Sequence, residues 1–343
     1  MKPMKTAQRV AAGMLTLGVG LTLASCGDDD KGAAADCGSS AIGTPNRSGD
    51  DQQADAKGLA RVAPALSTRT QQRKAKPGDE VTLGIIPSWT DGAAMAYLWK
   101  NVLEGEGYKV DIKDVADAAP LYTGLAQGDV DIYPSAWIDV THADYWKQYG
   151  DDLVDFGSYY DGAVLTLAVP DYMDIDSIED LKGCADRYDG QIIGIEPGAG
   201  LTRVTKESVM PEYGLDDYTL KTSSTQGMLT ELQNAIDNKE DIVVTLWRPF
   251  WANSAYPVKD LKDPKGALGD PEGLHEVANK EFADDNPEIA EMMGKAKLTD
   301  EQYGALEKLV VDASKDKKDP EKAQEEAVET WLKDNPDWLD TLK

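Results

Sequence analysis

Histidine is scarce in this chain. Only His142 and His275 occur, and the three cysteines, Cys26, Cys37 and Cys184, stand far apart. No Cys–His cluster forms at metal-ligand spacing, so no zinc site is expected. A hydrolase would need a nucleophile, a base and a third group to orient them. Two histidines and no Gly-x-Ser-x-Gly elbow leave no such set, and no motif calls for a cofactor. Basic residues are also few: 35 against 62 acidic ones, a formal charge of −27. That balance argues against electrostatic binding to nucleic acid or to an anionic membrane surface. The acidic residues show no regularly spaced loop of the calcium-binding kind, and they read as a solubilising surface. Beyond the first segment, no stretch is apolar enough to span a bilayer.

What is present begins with a secretion signal, expected over residues 1–25. Lys2, Lys5 and Arg9 form a basic start, and Val10 to Leu23 is a short apolar run. It ends in Leu23-Ala24-Ser25-Cys26, which resembles the lipobox of bacterial lipoproteins. Cys26 is then expected to carry acyl chains that hold the protein at the membrane. Residues 26–78 are rich in Asp, Gly, Ala, Ser, Gln and Lys and are expected to form a flexible tether. Cys37 and Cys184 remain as an even pair in an oxidising compartment, and whether they bridge is left open.

From residue 79 onward the pattern is α/β. Val81–Ile86 reads as a strand and Gly92–Leu103 as a helix. Tyr108–Val115 is a strand, Pro120–Ala126 a helix and Val130–Tyr133 a strand. The theme repeats with strands at Ala163–Val169, Gln191–Ile195, Tyr218–Thr222 and Asp241–Leu246, and helices at Ser177–Leu181 and Met228–Asn238. After Trp251 the chain is expected to be helical and acidic to its end. Two α/β units joined by extended crossings near Ala163 and Thr245 predict two lobes with a cleft between them. Lobe I is expected over 79–165 and 248–343, and lobe II over 166–247.

Trp89, Trp137 and Trp247 each follow a predicted strand. Ligands of open α/β sheets bind at that end of the strands. Any one Trp there could simply be core; three suggest a site. Aromatic faces can hold a cation that has no hydrogen to donate, such as a trimethylammonium group, and Trp does so best. A carboxylate at the other end of such a ligand suits the amides of a helix start. Thr90-Asp91-Gly92-Ala93, with its small residues, is the expected start. Trp99, Trp331 and Trp338 lie in helical stretches and read as packing, while Trp146 and Trp251 are ambiguous.

Three segments carry a resemblance: Pro134-Ser135-Ala136-Trp137-Ile138-Asp139-Val140-Thr141-His142, Gly194-Ile195-Glu196-Pro197-Gly198-Ala199-Gly200, and Val243-Val244-Thr245-Leu246-Trp247-Arg248-Pro249-Phe250-Trp251. From about Val81 on, the chain resembles the glycine-betaine-binding proteins of osmoprotective ABC transporters. The resemblance implies a two-lobed periplasmic-binding-protein fold that closes on its ligand, with an ABC permease as partner. It implies Trp137 and Trp247 as walls of an aromatic cage, and Gly92 and Ala93 amides on the carboxylate. Some relatives place a further cage Trp late in the chain, where Leu298 stands here, so Trp89 is expected as the third wall. Proline betaine, carnitine and choline-type solutes are alternative ligands. His142 and Arg248 are further candidates for the carboxylate, with a turn-orienting role and a salt bridge as their respective alternatives. Tyr159 and Tyr160 are expected near the cleft, and Glu196 is read as structural. The rival classes are a sensor module and a hydrolase.

Overall fold

The computed structural model describes residues 79–315 and 317–343. The signal segment, the tether, Cys26 and Cys37 therefore lie outside the described residues. Cys184 is buried and disulfide-bonded.

The strands are β1 (Glu80–Ile85), β2 (Lys109–Asp114), β3 (Ile132–Ala136), β4 (Leu153–Pro170), β5 (Gln191–Ile193), β6 (Thr219–Lys221), β7 (Val244–Arg248), β8 (Val258–Asp260) and β9 (Glu272–Asn279). Their order is β2-β1-β3-β9-β4-β7-β5-β6, with β8 also on β4. β1 lies parallel to β2 and β3, and β5 parallel to β6 and β7. The β1-to-β3 and β5-to-β7 stretches each alternate strand and helix, as the sequence predicts, and parallel neighbours require such crossovers. Each half of the sheet thus points its strand ends at the other, across the long strand β4. The residues just before the two expected lobe boundaries, Leu165 in β4 and Trp247 in β7, are register partners.

The C-terminal segment departs from the expectation of helix alone. β9 sits in the middle of the sheet, antiparallel to both β3 and β4. Its sequence, Glu-Gly-Leu-His-Glu-Val-Ala-Asn, hides it, because a central strand normally reads as a continuous apolar run. Here Glu272 and Glu276 are buried and held by specific donors, although Glu276 Oε2 has no partner. Glu272 accepts from the Val140 amide at 3.0 Å and from the Thr141 amide and hydroxyl. Glu276 accepts from the Trp99 indole. Five helices then follow, Lys280–Asp285, Pro287–Gly294, Asp300–Ser314, Pro320–Asp334 and Pro336–Thr341. Trp99, Trp331 and Trp338 pack together there, with Trp338 5.4 Å from Trp331 and 6.1 Å from Trp99 between ring centres. These three are core, as their helical positions predict. Among the described residues no helix is long and apolar enough to cross a membrane.

Candidate functional site between the two halves

Each half of the sheet ends its strands in short loops, and these loops meet. β1 stops before Pro87, whose missing N–H cannot continue the ladder, and the helix Thr90–Gly105 starts three residues on. Trp89 is thereby held at the helix N-cap. β3 stops at Ala136, and Trp137 follows. From the other half come the Glu196-to-Leu201 loop after β5 and Trp247 on β7. Together they enclose a narrow pocket with about 340 Å³ of empty space, its mouth included. Trp89, Trp137, Trp247, Asp91, Thr141 and His142 line it beside Leu165, Ile195, Ala199, Gly200 and Leu201. The wall is thus aromatic and aliphatic, with few polar groups.

Two of the indoles are tethered by carboxylates. Trp137 Nε1 donates to Asp91 Oδ2 at 3.1 Å, and Trp89 Nε1 donates to Glu196 Oε2 at 3.1 Å. Asp91 also accepts from the Ser135 hydroxyl at 2.5 Å, and Ser135 in turn contacts the Tyr159 hydroxyl at 2.8 Å. Burial raises the Asp91 pKa, against the lowering effect of these donors. Negative charge behind an indole N–H enriches the ring face, which favours a cation in front of it. Trp247 stacks on Phe250 at 3.9 Å and 21°.

His142 is fully buried and lies against Trp89, their ring planes 14° apart. Its Nδ1 accepts the Trp137 amide at 3.1 Å, so the ring proton sits on Nε2. Burial, aided by Arg203, pushes its pKa down to about 3, so the ring is neutral at physiological pH. It therefore both orients the turn after Trp137 and offers a neutral donor at the pocket wall.

The expected helix start brings Trp89 and Asp91 to the pocket wall. The Ala93 amide donates within its helix to Trp89 O at 3.2 Å. Neither Gly92 nor Ala93 lines the pocket. A second helix start, at Gly200, also lines the pocket, and from it α-, π- and α-helical turns run on continuously to Tyr213. Its signal was the Gly198-Ala199-Gly200 stretch, which is too common a pattern to stand out alone. Arg248 is likewise displaced. Its Nε pairs with Asp260, and it lines a separate cavity with Tyr160, Trp251 and Glu307. The salt-bridge alternative is the one observed, because the side chain leaves β7 on the face opposite the pocket. Tyr159 is buried behind Ser135, and Leu298, whose amide donates to the Tyr159 carbonyl at 2.8 Å, does not line the pocket. Trp146 packs beside Gly150, away from the pocket. Among the described residues no group of three or more His, Cys, Asp or Glu is placed to hold a metal ion.

A two-lobed α/β fold with an aromatic pocket between its halves defines an extracytoplasmic solute-binding protein of the periplasmic-binding type. Residues 79–334 match the family described as the substrate-binding domain of the ABC-type glycine betaine transport system, and the chain belongs to that family. It is 33% identical over 168 residues to the glycine betaine/carnitine transport binding protein GbuC of Listeria monocytogenes, covering 47% of this chain and 53% of that protein. The chain thus spans about half the length of that relative. Among solved structures it is similar to the glycine betaine/L-proline-binding protein ProX of Borrelia burgdorferi, with TM-score 0.69 and 29% identity over 77% of this chain and 96% of the other. It is equally similar to lactococcal OpuAC in its closed conformation with glycine betaine, with TM-score 0.69 and 31% identity over 77% and 99%. A choline-binding ABC-transporter protein in complex with choline follows at TM-score 0.66 and 25% identity over 77% and 91%.

Proposed function

We propose that the protein captures glycine betaine, or a closely related betaine, for an ABC importer, caging the ammonium group between Trp89, Trp137 and Trp247. One observation carries the reading: three tryptophans from both halves of the sheet line one small pocket, two of them backed by carboxylates. A trimethylammonium group has charge but no donor hydrogens, and ring faces answer that need. Leu165, Ile195 and Leu201 suit its methyl groups. The ligand carboxylate sits at the start of the Gly200 helix, where first-turn amides have no intrahelical acceptor, and His142 Nε2–H is a further donor. Choline, proline betaine and carnitine are the alternative ligands; choline, lacking the carboxylate, would leave the Gly200 amides unanswered.

Outside the described residues, the reading continues with removal of residues 1–25, lipid on Cys26, residues 26–78 as tether, and a bridge between Cys37 and Cys184. The permease is the partner that receives the ligand. Equilibrium dialysis of the purified protein against labelled glycine betaine tests the whole. The expected result is saturable retention of label that is recovered chemically unchanged. No retention, or conversion to a product, would refute it. Membrane fractionation tests the anchor: Cys26→Ser should release the protein or leave its precursor uncleaved, and a processed mutant still in the membrane fraction would refute it.

A further inference from the structure

Glu196 is buried in the middle of the interface between the halves, yet no Lys, Arg or His pairs with it among the described residues. Its partners are four donors. Oε1 accepts from Ser88 Oγ at 3.1 Å and the Thr225 amide at 2.9 Å. Oε2 accepts from Trp89 Nε1 at 3.1 Å and Thr225 Oγ1 at 2.8 Å. Each oxygen therefore takes one bond from each half of the sheet.

The two sets of bonds differ in kind. Thr225 opens the helix Thr225–Asn238, in the same half as Glu196, and the Thr202 hydroxyl holds the Glu196 backbone carbonyl at 2.8 Å. The carboxylate is thus positioned by its own half alone, at a helix N-terminus that favours negative charge. Ser88 and Trp89 belong to the loop after β1, in the other half, and reach Glu196 only when the halves are together. Trp89 is otherwise steadied in its own half by the His142 ring. A stack leaves a ring free to slide and turn in its plane; a bond at Nε1 removes that freedom.

We propose that Glu196 is a positioning residue that locks the Trp89 ring as a wall of the pocket on closure, so that cage assembly and closure are one event. This rests on the reading of the pocket as a quaternary-ammonium site. It makes Glu196 act on ligand affinity without touching ligand: Glu196 does not line the pocket. Charge-assisted bonds to a carboxylate are among the stronger hydrogen bonds. Their loss also withdraws negative charge from behind the indole.

The test is a double-mutant cycle on the full chain, read by calorimetric titration with glycine betaine. Glu196→Gln keeps the volume but turns one oxygen into an NH₂ group that faces donors. It should lower affinity about tenfold, which is about 1.4 kcal/mol. In a Trp89→Phe background, where no indole N–H remains, the same change should cost less than twofold. Loss of the full tenfold in both backgrounds, or no loss in either, would overturn the assignment. Should Glu196→Gln fail to fold, 3-benzothienylalanine in place of Trp89 removes the N–H and keeps the ring. That variant should lose about tenfold, and wild-type affinity in it would overturn the proposal. Trp137→Ala and Trp247→Ala separate this from the underlying reading. Weakened binding there with an unaffected Glu196→Gln refutes only the role of Glu196, whereas unchanged binding there refutes both.

Discussion

Gly200→Ala tests closure while keeping the backbone amides of the Gly200 helix start. A Cβ built on Gly200 would lie 1.9 Å from the carbonyl oxygen of Thr141 and 2.6 Å from its carbonyl carbon. Real Cβ atoms keep at least 3.0 Å from such atoms, so more than an ångström must be found. Thr141 cannot readily yield it, because Glu272 holds the amides of Val140 and Thr141. The cheaper response is for the halves to stay apart. That forfeits bonds seen between them: Gly198 amide to Asp117 at 2.9 Å, Tyr145 hydroxyl to Gly198 O at 2.9 Å, and Arg203 to Asp144 at 3.1 Å and to Val140 O at 3.1 Å. At about 1 kcal/mol for each hydrogen bond, losing two to four of them costs about 2–4 kcal/mol. Betaine affinity should then fall by about 30- to 1,000-fold. Calorimetry reads the affinity, and small-angle scattering with betaine reads the shape: the wild type should become more compact and the mutant should not. Thermal stability without ligand should stay near wild type, since the clash exists only in the closed form. Gly105→Ala, where an added Cβ meets nothing within 4 Å, is the silent control. Wild-type affinity in Gly200→Ala would refute the argument, and so would a loss of ligand-free stability as large as the loss of affinity.

Trp137→Ala and Trp247→Ala should each weaken betaine binding by about 1–3 kcal/mol, the range for desolvated cation–π contacts and their lost burial; calorimetry on folded mutants checks this, and unchanged affinity in both contradicts it. Glu307 is buried, bonded by the Thr90 hydroxyl at 2.5 Å, and its pKa is pushed by burial from 4.5 to about 7. The folded state holds that proton where the unfolded state has released it, so the group's cost is absent below pH 4.5 and grows as pH rises to about 7. Glu307→Gln should therefore raise the melting temperature at pH 8 and change it little at pH 4, and a difference independent of pH would contradict the assignment. Gly304 lies within the helix Asp300–Ser314, and an added Cβ there meets nothing within 4 Å. Gly304→Ala should stabilise the protein by up to about 1 kcal/mol in denaturant titration, and a destabilised mutant would refute the helix assignment.

The parallel units were legible because period-two and period-3.6 patterns alternate there with few exceptions, and Pro87 and Gly128 mark where elements stop. β9 was not, since two buried glutamates break its apolar run and only their distant partners, Trp99 and the Thr141 loop, make the strand tolerable. At the site, the tryptophans were readable because strand ends are where open α/β sheets bind ligands. The choice between two helix starts was not readable, because both Asp91-Gly92-Ala93 and Gly198-Ala199-Gly200 offer small residues. It turns on which start packs against the other half, and there Gly200 lines the pocket while Gly92 and Ala93 do not. Arg248 was misplaced for a related reason: sequence neighbours on a strand point to opposite faces, so the residue after a pocket Trp faces away. Glu196 reads as structural in sequence because the residues that donate to it, Ser88, Trp89 and Thr225, lie far from it along the chain.

The central claim is that ring faces recognise positive charge in this pocket. Glycine betaine and 3,3-dimethylbutanoate have the same shape and carboxylate, and differ in one atom, a charged nitrogen against a neutral quaternary carbon. Calorimetric titration of the protein with the two compounds therefore isolates the charge. With three tryptophan faces at about 0.5–2 kcal/mol each, betaine should bind at least tenfold more tightly than its carbon isostere. Equal affinities for the two would mean that the pocket reads shape and apolar surface alone, and would contradict the claim.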